Sequence, residues 1–291
     1  MTQFKIGNSN LTVSINSFGA ELCSVYSNVT SLEYIWQANK DIWARHAPNL
    51  FPIVGKLNNG IFNHQSNSYS LSQHGFARDS EFRCIEQRED FVLFELPANE
   101  KTLEIYPFHF SFQVGFKLTE NQLEVNYVVF NPDNQDLYFS VGAHPAFNCP
   151  LLVNESFTDY ELVFPNKEGF VINKLQDGLI SSHTKPLVLT SNRLPISKEL
   201  FENDALVFMN TQVSEVQLVS KISKHGVSLI SKDWPFYGIW SKKGEESFIC
   251  LEPWYGIADE VGFKKDICEK TGIIKIEPFG NFNCAYQMLF F

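Results

Sequence analysis

Apolar and polar residues alternate along most of the chain. Leu11-Thr-Val-Ser-Ile15 and Leu123-Glu-Val-Asn-Tyr127, the latter continuing into Val128-Val-Phe130, carry the period of two expected of strands with one buried face. The segments 91–96, 112–118, 216–219, 237–240, 272–277 and 285–290 extend the pattern. Asn58-Asn-Gly60, Thr119-Glu-Asn121, Asn131-Pro-Asp133 and Lys243-Gly-Glu245 supply turns between them. Helical spacing is confined to two short stretches, 195–201 and 264–270. So many strands predict an all-β protein built from two large antiparallel sheets packed face to face. The ~40-residue repeat of a propeller is absent, and nothing reads as a linker, so residues 1–291 are expected to form a single domain.

Composition narrows the function. Hydrophobic residues make up 44% of the chain, and 27 Phe, 10 Tyr and 5 Trp suit strand cores and cross-strand pairs. A net charge of −10 without a basic run argues against nucleic acid or an anionic membrane as partner. No apolar run approaches the ~18 residues of a membrane helix. The opening MTQFKIGNSNLTV lacks a basic region followed by an apolar stretch, so no signal peptide is expected. Six cysteines (Cys23, Cys84, Cys149, Cys250, Cys268, Cys284) without C-x-x-C spacing read as reduced thiols, which points to the cytoplasm. A Walker loop, G-x-G-x-x-G, H-E-x-x-H and G-x-S-x-G are all missing. No nucleotide, metal or other cofactor is therefore expected.

The chemistry concentrates in two motifs. His144 in Val141-Gly-Ala-His-Pro-Ala-Phe-Asn148 follows a strand pattern over 138–143, and Glu252 in Leu251-Glu-Pro-Trp-Tyr-Gly256 follows another over 247–251. Both are expected at strand ends, with Pro253 turning the chain away and Gly142 and Pro145 holding an unusual backbone course. An imidazole and a carboxylate make an acid–base pair, and Trp254 beside them offers an apolar platform for a sugar ring. Taken alone, each residue is more often a hydrogen-bonded strand terminus than a catalytic group. His74 in Gln73-His-Gly-Phe-Ala-Arg78 adds a second imidazole, with Gly75 leaving room for a ligand or a tight turn. Arg78, Lys56 and Arg45 supply positive charge that could hold hydroxyl oxygens or a phosphate. Asp204 either caps a turn before a strand or accepts hydrogen bonds from hydroxyls.

Five ordered motifs carry a resemblance that spans nearly the whole chain. They are Phe51-Pro-Ile-Val-Gly55, His74-Gly-Phe-Ala-Arg78, Gly142-Ala-His-Pro145, Asp204-Ala-Leu206 and Leu251-Glu-Pro-Trp-Tyr-Gly256. In these the chain resembles the aldose 1-epimerases, or galactose mutarotases, and looks closest to their LacX-like branch. The resemblance implies a β-supersandwich fold and interconversion of the α and β anomers of a hexose. It implies Glu252 as general base, His144 as general acid, His74 as second active-site histidine and Asp204 as substrate ligand. Lys56 falls where better-known members carry arginine. A protonated His144 beside an ionised Glu252 would then be needed, which unshifted groups allow between about pH 4 and 6.5. Three alternatives remain: a hexose-6-phosphate epimerase using Arg45, Lys56 and Arg78, a glycoside hydrolase or lyase, and a non-catalytic sugar-binding protein. Hydrolysis usually employs two carboxylates, whereas the strongest motifs here pair His with Glu.

Overall fold

The alternating segments pair into antiparallel ladders. In the computed structural model, which describes residues 2–165 and 167–291, nine strands form one sheet. Its centre runs Gly226–Ile230, Asn281–Phe290, Gln122–Phe130, Ser111–Thr119 and Phe91–Pro97. Eight strands form a second sheet, ordered Leu179–Val188, Gly169–Gln176, Leu206–Met209, Phe236–Trp240, Phe248–Tyr255, Val141–Ala143 and Asn49–Leu50, with Ala146–Asn148 also paired to Phe248–Tyr255. A three-stranded sheet, Gln3–Gly7, Leu11–Asn16 and Glu21–Ser27, completes the core.

Strand alternation decides what each face meets. Val125, Tyr127 and Val129 of the nine-stranded sheet share one buried cluster with Leu206, Phe208, Ile239, Ile249 and Leu251 of the eight-stranded sheet. That cluster extends from Ile6 to Phe290, so residues near both ends of the chain build it. The other face of the eight-stranded sheet is also largely buried, under loops. There Phe248 and Cys250 join Trp36 and Ala146, while Trp254 and Val207 join Leu50, Val54 and Ile257. Burial on both faces explains why Ser247-Phe-Ile-Cys-Leu251 reads as a continuous apolar run rather than an alternation.

Local departures from expectation have local causes. The stretch 138–143 is not one strand: Leu137–Phe139 pairs with Ile274–Ile276 in a separate ribbon, and Val141–Ala143 joins the eight-stranded sheet. Between them Ser140 N–H donates to the Pro52 carbonyl at 2.7 Å. The stretch 195–201 holds the end of strand Arg193–Pro195 and a 3-10 turn, Lys198–Phe201; 264–270 holds only the 3-10 turn Ile267–Glu269. The one α-helix among the described residues, Glu100–Ile105, has no apolar period to announce it. Its signature is the cap: Asn99 Oδ1 accepts from Thr102 N–H at 3.2 Å, and Thr102 Oγ1 accepts from Asn99 N–H at 2.9 Å. No helix among the described residues is long and apolar enough to cross a membrane, and all six cysteines are free.

Candidate active site

Glu252 lies inside a strand rather than at its end. Strand Phe248–Tyr255 runs through Pro253, pairing Gly238 with Glu252 and Tyr237 with Pro253 on one side. On the other side it pairs Gly142 with Trp254 and Ala146 with Cys250, and continuing that register places His144 directly opposite Glu252. The Leu251 N–H donates to the Pro145 carbonyl at 3.2 Å. Alternation points the nitrogen of residue 253 the same way, where the ladder breaks between Gly142 and Ala146. A proline, having no donor, leaves nothing unsatisfied at that gap. Gly142 has ordinary extended backbone, contrary to expectation, and its role is spatial: a Cβ there would sit 2.7 Å from Trp254 Cδ1.

The register brings His144 Nε2 within 3.2 Å of Glu252 Oε2, with side chains 9% and 2% exposed. Burial lowers the imidazole to about 3, and the positive charges of Arg78 and Arg45 act in the same sense. Burial likewise raises the Glu252 carboxyl well above its usual range, and the neighbouring Asp204 charge adds to this. Both groups are thus driven toward their uncharged forms, so the window between pH 4 and 6.5 set by unshifted groups does not apply. At 3.2 Å the charge on one group bears directly on the other, so the two are treated as a pair. Its two singly protonated forms are carboxylic acid with neutral imidazole, and carboxylate with imidazolium.

His74 comes from the turn Gln73-His74-Gly75, docked on Phe51. A Cβ on Gly75 would fall 2.2 Å from the Phe51 carbonyl oxygen, so this glycine serves the turn and not a ligand. The Gly55 N–H donates to His74 Nδ1 at 3.1 Å. That bond makes Nδ1 the acceptor and leaves the proton on Nε2. Burial, with His144 and Arg78 nearby, holds this imidazole neutral, well below its usual pKa. His74 Nε2 and the Gln73 amide lie 3.3 Å apart.

These residues line a cavity of about 280 Å³. His74, His144, Glu252, Arg78, Asp204 and Gln73 give its polar side, and Trp43, Trp240 and Trp254 its aromatic side. Trp254 lies flat on the sheet between two glycines: a Cβ on Gly238 would meet its Cη2 at 2.3 Å, as one on Gly142 would meet Cδ1. Its neighbour Tyr255 faces the other way, against Trp234 and Phe282, and belongs to the core. Asp204 has φ 76°, and its carboxylate accepts from Ala205 N–H at 2.8 Å, so it both caps its turn and lines the cavity.

The three cations separate. Arg78 lines the cavity, with Nη2 donating to the Gln73 carbonyl at 2.6 Å and Nε 3.7 Å from Asp79 Oδ2. Arg45 is drawn to Asp79 at 2.9 Å. The Lys56 ammonium donates to the Asp177 carbonyl at 2.9 Å, outside the cavity lining, where it holds the loop carrying Gly178. Sequence reasoning missed Trp43. Its ring stacks on His144 with centroids 5.1 Å apart and planes 26° apart. The signal available was a tryptophan in a mostly polar stretch, 37–46, without strand period.

Cys250, two residues before Glu252 on the same face, brings His144, Cys250 and Glu252 ligand atoms within 4.8 Å of one another. Burial raises the Cys250 thiol well above its usual range.

The family model for aldose 1-epimerase matches residues 2–265, and the chain belongs to the aldose 1-epimerase family. Within it the chain is LacX-like: the chromosomal LacX protein of Lactococcus lactis is 30% identical over 293 residues, covering 98% of each chain. A galactose mutarotase related enzyme from Lactobacillus acidophilus superposes with a TM-score of 0.95 at 35% identity, covering 100% of this chain and 97% of that one. A galactose mutarotase-like protein from Lactobacillus casei gives 0.92 at 31% identity, covering all of both chains.

Proposed function

We propose that the protein interconverts the α and β anomers of an uncharged hexose, with His144 and Glu252 as its acid–base pair. The observation that carries this reading is the 3.2 Å contact between the two groups on the floor of the cavity. Glu252 as carboxylate takes the proton of the O1 hydroxyl while His144 as imidazolium protonates the ring oxygen. The C1–O5 bond opens to the aldehyde, rotation about C1–C2 exchanges the faces, and closure returns both protons.

The pair keeps one proton throughout. Ring opening converts the carboxylate–imidazolium form into carboxylic acid and neutral imidazole, which is the form burial favours. The electrostatics of the site therefore assist the opening step, and closure regenerates the starting form. Each positioned group contributes on the order of 10²–10⁴-fold. The His74 Nε2–H is a neutral donor for a sugar oxygen, Asp204 accepts from hydroxyls, Arg78 donates to them, and the Trp254 face takes the apolar side of the ring. No step calls for a cofactor.

An uncharged sugar fits better than a 6-phosphate because Arg45 and Lys56 are engaged by Asp79 and Asp177, leaving Arg78 as the one of the three cations on the cavity. The core running from Ile6 to Phe290 supports treating 1–291 as one domain. The test is the decay of optical rotation of freshly dissolved α-glucose and α-galactose. Decay well above the buffer rate supports the reading. Acceleration confined to a 6-phosphate would move the substrate, and none with any of these sugars would favour a binding protein.

A further inference from the structure

We propose that Trp43 is a positioning residue for the acid–base pair: its indole face covers the His144 imidazole and stabilises the imidazolium from which ring opening starts. The inference rests on His144 being the acid. Its geometric basis is the parallel stacking of the two rings, 5.1 Å apart at 26°. Within about 6 Å a tryptophan face attracts a cation, more strongly where water is excluded. Against burial, the imidazolium has a backbone contact of His144 in its favour but little from side chains. Its Nδ1 is buried without a hydrogen-bond partner, and Nε2 is committed to Glu252.

Trp240 meets the ring at 5.8 Å and 78°, without the parallel overlap of Trp43, and the titratable neighbours add little. His74 meets the ring edge-on at 84° and is held neutral by the Gly55 N–H. Arg78 and Arg45 oppose a second positive charge. Cys250, on the Glu252 strand, is a protonated thiol. Glu252 is the single favourable charge, with Asp204 beyond it raising the carboxyl.

Trp43 is also held in place. Trp36 Nε1–H donates to the Trp43 carbonyl at 2.9 Å, and the Lys242 ammonium donates to the Ile42 carbonyl at 2.8 Å. The ring packs on Phe248 at 5.5 Å and 13°, and Trp240 closes against it at 67°. A loop anchored at two backbone carbonyls thus presents one aromatic face to the acid. Trp43 and His144 lie about a hundred residues apart, and the stack locks the imidazole plane that Glu252 must address.

The test compares Trp43→Leu and Trp43→Phe with the unmutated protein. In Trp43→Leu, kcat is expected to fall about three- to thirtyfold, the range from an exposed to a desolvated cation–π contact, with little change in KM. The acid limb of kcat/KM moves to lower pH, because the imidazolium is harder to form. Trp43→Phe keeps most of the rate. A second readout needs no turnover: the 15N shifts of the His144 ring, assigned against His144→Asn, report the imidazolium fraction. That fraction is expected to drop in Trp43→Leu at the acid end of the titration, where the buried imidazole takes up its proton. An unchanged fraction with an unmoved acid limb, or a rise in KM alone, overturns the proposal and leaves Trp43 as cavity wall. If the unmutated protein turns over no sugar, the functional reading fails, and the 15N titration still decides the stacking.

Discussion

Gly238→Ala tests how the cavity floor is built. Gly238 has no left-handed backbone, so alanine is conformationally acceptable there and any effect comes from the methyl group. That methyl would lie 2.3 Å from Trp254 Cη2, 2.4 Å from Cζ2 and 3.1 Å from Cζ3. Carbon atoms in contact sit about 3.5–4.0 Å apart, so the indole must rise by roughly 1 Å or more. A rigid ring in a packed site cannot do this locally, and overpacking of this kind costs about 1–3 kcal/mol. The displacement is directed into the cavity beside Glu252, where a misplacement of about 1 Å can cost on the order of 10²-fold in rate. The expected result is a lower thermal midpoint together with a fall in kcat/KM of about that size. Trp254→Phe removes the outer ring atoms, so Gly238→Ala made in that background should cost little. Equal stability losses from Gly238→Ala in both backgrounds would refute the reasoning, since the clash would then not involve Trp254.

Further perturbations probe the charges. Glu252→Gln should lower kcat by at least about 10²-fold while sugar binding, followed by calorimetry, persists. The same variant should be more stable than the unmutated protein near pH 8. The folded pKa of Glu252 is raised, so above the unfolded value of ~4.3 the unfolded chain releases a proton that the folded one retains, and stability falls as pH rises. Denaturant titrations at pH 8 and pH 4 should show the advantage shrinking at the lower pH. The plateau of kcat/KM should extend beyond both ends of the unshifted range, because burial opposes both adding a second proton to the pair and removing its last one. A bell narrowed to pH 4–6.5 would contradict this. Lys270 and Asp259 form an ion pair at 3.0 Å with side chains 2% exposed, and the Lys270 ammonium also holds the Ile257 carbonyl beneath the cavity wall. Lys270→Met leaves Asp259 buried and unpaired, and should cost about 3–5 kcal/mol in denaturant unfolding.

The sheets were legible wherever apolar residues on one strand face alternated with less buried polar ones on the other, as in Gln122–Phe130. Legibility failed where burial was two-sided or pairing was non-local. Pro253 reads as a terminator, yet it sits mid-strand because the partner ladder opens opposite it, which only the register with residues 142–146 reveals. The motif residues His74, Arg78, Asp204, His144, Glu252 and Trp254 do converge on one cavity. Lys56 does not join them, since the turn at Asp177–Gly178, over a hundred residues away, captures its ammonium. Gly142 and Gly238 carried no signal as a pair, although together they allow Trp254 to lie flat. Trp43 was invisible for a similar reason: its partner is distant and its own segment has no period.

The most direct measurement is anomer exchange by magnetisation-transfer NMR on glucose and galactose near pH 7. It compares the unmutated protein with Glu252→Gln and His144→Asn. Exchange far above the buffer rate, lost in both variants while bound sugar is still detected, is the predicted result. Exchange that survives either substitution would contradict the claim that the buried His144–Glu252 pair performs the chemistry.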